Sequence, residues 1–174
     1  MASQGTAEVL ARCLLAQIYL AQNRKDAARR EASQALAQSP GSPLALLTMA
    51  LVKFAHFDLS HAVQDLHQAL AIDPRFVDAY VYLAKIWLGS DYLARARQTI
   101  DQALRLAPRE AEVLSLAGFV RFAYRDYAEA RQLWAKAITA NPGLGEPHLG
   151  LSLCHFRYRE FDLGLTQMLT ATLL

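Results

Sequence analysis

VDAYVYLAKIWLGSDYLARARQTIDQALRLAPRE, residues 77–110, holds two helical patterns and one stop. Tyr80, Leu83, Ala84 and Trp87 stand at i, i+3, i+4 and i+7, the spacing of one helical face, and predict a helix over Val77 to Gly89. Ser90 and Asp91 punctuate it. A second helix is predicted from about Tyr92 to Leu106, with Ala96, Ile100, Ala103 and Leu104 on one face. Pro108 stops it, because proline disfavours helix just before itself and tolerates a helix start.

The same unit recurs along the chain. Pro40, Pro74, Pro108 and Pro142 are spaced by 34 residues. So are Ala35, Ala69, Ala103, Ala137 and Ala171, and so are Ala28, Ala62, Ala96, Ala130 and Gly164. Ala16, Ala50, Ala84, Gly118 and Ser152 keep the step as well. Such a period marks an array of helix pairs, each burying its apolar face against its neighbours. The small residues let helices approach closely, since interaxial distance follows side-chain size at the contact. Ser42 and Pro43 open the second unit as N-cap and first helical residue, while Gly145, Glu146 and Pro147 open the fifth more loosely. The expected organisation is one array over residues 1–174, with repeats of about 9–42, 43–76, 77–110, 111–144 and a truncated 145–174.

Composition narrows the class. Apolar residues make up 53% of the 174, and mean hydropathy is +0.10. A membrane span needs about 18 apolar residues in a row. The best run, Leu44 to Phe54, is broken by Thr48 and Lys53. The excess therefore belongs to an inter-repeat core, an apolar groove or an apolar end. A net charge of +2 is bland, and the one dense basic cluster, Arg24, Lys25, Arg29 and Arg30, reads as a solvated helix start. Nucleic-acid binding needs a wider basic footprint. Cys13 and Cys154 fall in the first and fifth repeats, too far apart for a disulfide when helices pack at about 8–10 Å. Residues 1–5 lack a basic start, and Glu8 and Arg12 interrupt the apolar stretch that follows, so no signal peptide is read and a cytoplasmic setting is expected.

No catalytic or metal-binding constellation emerges, and no enzyme activity or cofactor is expected. There is no phosphate-cradling glycine loop, no H-E-x-x-H and no C-x-x-C. His56, His61 and His67 are spaced by five and six, which does not put them on one helical face as ligands. His148 and His155 read as packing replacements. Cys154 and His155 point about 100° apart on a helix and make no nucleophile–base pair. His61 with Asp65, and Asp101 with Arg105, read as surface helix pairs.

With these residues in place, the chain resembles the tetratricopeptide repeat family over about residues 9–174. The small positions and prolines match its pattern, W-x₂-L-G-x₂-Y…A-x₃-F…P. The large positions are degenerate. The Trp place holds Arg12, Leu46, Tyr80, Leu114 and His148; the Tyr place holds Tyr19, Lys53, Trp87, Arg121 and His155; the later aromatic is Ala32, Leu66, Ile100, Trp134 and Met168. The family often carries glycine in the turn within each pair. Here that place falls near Asn23, Phe57, Asp91, Arg125 and Arg159, and because phenylalanine resists a left-handed backbone, a differently shaped second turn is expected.

The resemblance implies an all-α, right-handed α-solenoid whose first helices line a concave groove. It implies a non-enzymatic scaffold, adaptor or chaperone-like module. The family's clamp for a C-terminal carboxylate is missing, because its first two positions fall on Cys13 and Gln17. The groove-facing residues in this register are Leu10, Cys13, Gln17 and Leu20; Leu44, Leu47, Leu51 and Phe54; Val81, Lys85 and Leu88; Ser115, Phe119 and Phe122; Leu149, Leu153 and Phe156. This mostly apolar face suits an amphipathic helix or apolar segment of a partner protein. The alternatives are self-association through the groove or the apolar C-terminal helix, and a docking arm for a catalytic domain outside these residues. The final stretch, Met168 to Leu174, is apolar and uncapped, which suits a piece of a longer array or an end covered by an oligomer or partner.

Overall fold

A computed structural model describes the backbone of residues 2–174 and the side chains from residue 5 onward. Among the described residues there are ten helices and no strand. They are α1 Ala2–Ala21, α2 Lys25–Gln38, α3 Pro43–Ala55, α4 Leu59–Ile72, α5 Val77–Gly89, α6 Leu93–Leu106, α7 Ala111–Ala123, α8 Tyr127–Ala140, α9 Gly145–Arg157 and α10 Phe161–Leu173. The chain is all-α, a helical repeat, as its period predicts. The helices form two compact units, Met1–Tyr82 and Leu83–Leu174, that divide within α5.

Turn chemistry sets the pairing. The first helix of every pair ends on a left-handed residue: Asn23 (φ 56°), Phe57 (62°), Asp91 (61°), Arg125 (63°) and Arg159 (61°). The next residue donates its N–H back over the turn, as in Arg24 to Tyr19 O (2.8 Å), Asp58 to Lys53 O (2.9 Å) and Asp126 to Arg121 O (3.0 Å). This 6→1 bond satisfies a carbonyl that the helix end leaves orphaned. Phe57 adopts the same geometry as the other four, which corrects the expectation of a different second turn. The reason is that the repeated closing bond overrides the local cost of a side chain in this region, about 1–2 kcal/mol. Phe57 also meets no steric competition, being 85% exposed. The caps at the second-helix starts are Asp58, accepting from His61 N–H at 3.4 Å, and Asp126, accepting from Glu129 N–H at 3.2 Å. Ser42 caps α3 by accepting from Ala45 N–H at 3.3 Å, with Pro43 behind it.

Within residues 1–82, α1 packs on α2 and α3, α2 on α3, and α3 on α4. The core there is built from small residues. Ala16, Ala28 and Ala32 meet Met49 and Val52, with Tyr19, Leu20 and Leu36 beside them. Val9, Cys13, Ala35 and Ala45 form a second cluster. Within residues 83–174, α7 packs on α6, α8 and α9, α8 on α9, and α9 on α10. There the centre is Trp134, fully buried with Ala130 and Cys154. Its indole N–H donates to Ser115 O at 3.0 Å, which satisfies the one polar atom the ring buries. Glycine makes room for the ring. A Cβ on Gly118 would lie 2.7 Å from Trp134 Cδ1, and one on Gly150 would lie 2.5 Å from Cδ2.

Candidate functional site

The first helices of residues 1–82 build a cavity of about 270 Å³ lined by Gln17, Leu20, Leu51, Phe54, Ala55 and Tyr82. Gln17 and Leu20 come from α1, where the i, i+3 step holds them on one side. Leu51 and Phe54 come from α3 by the same step. Leu51 is nearly buried, while Phe54 is 40% exposed. Gln17 and Tyr82 are the polar members of the lining. The lining thus pairs four apolar side chains with two that carry a polar group, the usual composition of a surface that orients a partner.

The remaining face residues fall into three sets. Leu10 and Leu153 are exposed. Gln17, Lys85, Leu88, Phe119, Phe122 and Phe156 are half-buried. Cys13, Leu47 and Val81 are buried and belong to packing between helices, so they present no surface to a partner. Burial pushes the Cys13 thiol above its usual range, which keeps it neutral. Phe119 and Phe122 stand against Trp134 with ring centres 5.1 and 5.9 Å away, and Phe122 lies 5.2 Å from the Tyr127 ring. Their outer edges remain open while their inner edges hold the core. The structure therefore brings Gln17, Leu51 and Phe54 together around one cavity, and Phe119 and Phe122 together around one tryptophan.

Ion pairs run between helices. Lys53 Nζ meets Asp65 Oδ2 at 2.6 Å, and His61 Nδ1 instead meets Asp58 Oδ1 at 2.8 Å. Arg121 Nη2 donates to Asp101 at 2.7 Å, and its Nε lies 2.9 Å from Glu129 Oε2. The expected His61–Asp65 and Asp101–Arg105 pairs are thus corrected. In each case a cation from a first helix reaches a carboxylate on a second helix more directly than the neighbour one turn away. His148 and His155 are half-buried and bonded to Gln167 (2.7 Å) and Glu160 (2.6 Å). In the basic cluster, the Arg24 guanidinium sits 4.5 Å above the Tyr19 ring and Lys25 donates to Ala55 O at 2.7 Å. Two of its four charges are therefore engaged.

Two features escape the sequence reading. A cavity of about 420 Å³ lies between Pro108, Arg109, Leu114 and the last turns of α8 at Ala135, Lys136, Thr139 and Ala140. Pro108 and Leu114 hold repeat positions, but nothing in the 34-residue period marks a cavity between them and α8. Leu14 and Ile18 of α1 are half exposed, at 50% and 52%. A signal for them existed, since α1 carries apolar residues at 10, 14, 15, 18, 19 and 20, more than one buried face requires. Among the described residues no helix is long and apolar enough to cross a membrane, and no three metal-ligating side chains cluster.

Comparison with known proteins places the fold. Residues 53–118 match the family described as Tetratricopeptide repeat. A thermophilic TPR protein of Thermus thermophilus is 22% identical at a TM-score of 0.84, over 94% of this chain and 89% of its own. The pilF protein of Pseudomonas aeruginosa is 19% identical at 0.81, over 97% and 77%. A chain of the APC/C hetero-tetramer Cut9–Hcn1 is 16% identical at 0.86, over 95% of this chain and 33% of its own. These likenesses are of fold. No curated protein matches the chain by sequence.

Proposed function

We infer that this chain, which belongs to the tetratricopeptide repeat family and so to the protein-interaction scaffolds, docks an apolar helical or extended segment of a partner protein in the cavity bounded by Gln17, Leu51 and Phe54. The observation that carries the reading is that cavity of about 270 Å³, lined by Leu20, Leu51, Phe54 and Ala55 together with the polar Gln17 and Tyr82. A leucine- or phenylalanine-sized anchor fits such a space, and spaced anchors in a groove are the common mode of helix recognition. Leu10, Lys85, Leu88, Phe119, Phe122, Leu153 and Phe156 extend the reading as further contacts on the first helices. Cys13, Leu47 and Val81 are buried packing residues on the same helical face. The fold serves assembly in one neighbour solved as a hetero-tetramer, which agrees with a scaffold role. In this reading the chain catalyses no reaction and works in the cytoplasm.

The test compares the native chain with Phe54→Glu for binding to a panel of apolar helical peptides. Phe54 is partly exposed, so its replacement leaves the fold intact, as circular dichroism checks. A loss of at least about tenfold in affinity, or 1.4 kcal/mol, is expected for the peptides the native chain selects. Unchanged affinity across the panel would sink the cavity as the docking site.

A further inference from the structure

The cavity of about 420 Å³ between Pro108, Leu114 and the end of α8 lies wholly within residues 83–174, apart from the site already described. One period earlier, Leu114 and Pro108 become Tyr80 and Pro74. The Tyr80 ring is half-buried, and its hydroxyl donates to Pro74 O at 3.1 Å, so the side chain reaches from its helix to the proline turn. A leucine side chain ends well short of a tyrosine's phenol. In the fourth repeat, leucine and the proline turn are both lining members of an open space.

Charge sets this space apart from its counterparts. Where Lys136 stands, the three earlier repeats carry Gln34, Gln68 and Gln102. In the second repeat a leucine, Leu46, also takes the tyrosine place, but Gly41 and Gln68 stand there for Arg109 and Lys136. The fourth repeat is the one that combines the leucine with two cations. Both cations are exposed, and among the described residues neither side chain meets a carboxylate. Their nearest acids in sequence, Glu110 and Glu112, stand outside the lining, which holds no acid. Thr139 donates its hydroxyl proton to Ala135 O at 2.9 Å. Arg109 and Lys136 are thus the side-chain donors left in the lining.

The form of the cavity narrows the occupant. Sites for small molecules, about 300–1,000 Å³, enclose most of the ligand's surface. Here six of the seven lining residues are exposed, and only Leu114, at 4%, is buried. Such an open depression suits one side chain projecting from a larger partner. An apolar lining with two unanswered cations is complementary to an apolar group set among negative charges.

We propose that this cavity is a second docking site, which takes an aromatic side chain of a partner protein flanked by acidic residues. The ring enters beside Leu114 and Pro108, as an aromatic anchor fills a pocket at other interfaces. The flanking carboxylates meet Arg109 and Lys136 in charge-assisted hydrogen bonds.

The test is titration of the 174-residue chain with a panel of acetylated, amidated pentapeptides, followed by calorimetry and backbone-amide NMR. Each peptide carries Trp, Tyr or Phe at its centre and Asp or Glu on both sides. The amide signals of Arg109, Leu114, Lys136 and Thr139 shift on binding. Lys136→Glu and Arg109→Glu each weaken binding by about tenfold or more, since a like charge then faces the peptide. Lys136→Gln, which restores the residue of the earlier repeats, weakens it by about two- to fivefold, the scale of an exposed charge pair. Leu114→Tyr keeps both cations and fills the space from within the chain, and it removes binding. Circular dichroism verifies folding of all four variants. Peptides with alanine at the centre, or with Asn and Gln for the acids, bind at least about tenfold more weakly. A panel that shifts no signal at the cavity overturns the proposal, as do shifts confined to Gln17, Leu51 and Phe54. Native affinity in Leu114→Tyr, or for the alanine-centred peptides, would reduce the binding to bare charge attraction and overturn it too. Native affinity in both charge reversals would remove the cations from the site with the same result.

Discussion

The junction at α1–α2–α3 and the junction at α7–α8–α9 occupy the same places in the repeat and are filled in opposite ways. Ala16, Ala28 and Ala32 meet Met49 and Val52 in the first. Gly118 and Gly150 clear space for Trp134 in the second, where Cys154 replaces the valine. The repeat thus dictates where helices cross. It does not dictate which helix supplies the side chain that fills the crossing. A second contrast follows the same positions outward. Lys53 is answered by one carboxylate and is a quarter exposed, while Arg121 is answered by two and is 8% exposed.

The strongest way to break the comparison is to remove the tryptophan. Trp134→Ala is expected to cost about 3–5 kcal/mol in urea unfolding, the range for emptying a large core site. Gly118→Ala costs about 1–3 kcal/mol in the native background by overpacking. In the Trp134→Ala background it becomes close to neutral or favourable, because the added methyl enters vacated space. Strict additivity of the two would refute the exchange of volume between helices. The polar contrast comes next. Arg121→Ala is expected to lose about 2 kcal/mol, the scale of hydrogen bonds to charged groups. Lys53→Ala loses about half as much, being more exposed to screening solvent. Equal losses would show that the second carboxylate adds nothing.

The turns sharpen the comparison at a smaller scale. Phe57→Gly should gain about 1 kcal/mol by relieving a left-handed residue that bears a side chain, while Asn23→Gly changes little. A loss on Phe57→Gly would mean that the Lys25 ammonium, 5.7 Å from the ring, contributes more than the backbone costs. The smallest effect concerns pH. The hydrogen bond from His61, with its backbone N–H assisting, holds the Asp58 carboxyl below its usual range. A depressed folded-state value stabilises above the unfolded value, about 3.9, and the contribution disappears as pH falls through the folded one. Native chain and Asp58→Asn should therefore differ slightly in melting temperature at neutral pH and converge in acid. A gap that persists at low pH would assign the difference to cap geometry alone.

Much of this molecule is legible in the residues. The 34-residue step, the proline stops and the i, i+3, i+4 faces place α5 over the predicted 77–89 and α6 within one residue of its predicted start. The left-handed turn positions were also readable, because all five keep the same register. What misled at Phe57 was local propensity, which the recurrent closing hydrogen bond outweighs. Asp65 and Asp101 show a different limit. Sequence displays the neighbour one turn away on the same helix, and the partner on a facing helix enters only when the pair closes. The cavity at Gln17, Leu51 and Phe54 was half legible. Its residues lie on the predicted face, yet Cys13, Leu47 and Val81 share that face and are covered.

Periodicity by itself determined the helix pairs, their turns and the small-residue contacts, because each depends on backbone spacing and side-chain size along one chain. Tertiary structure decided which apolar residues are buried and which stay open, and which cation meets which carboxylate. It also decided that Trp134 should fill the space left by two glycines on flanking helices. Those outcomes depend on distances between helices, and a period measured along the sequence carries no record of them.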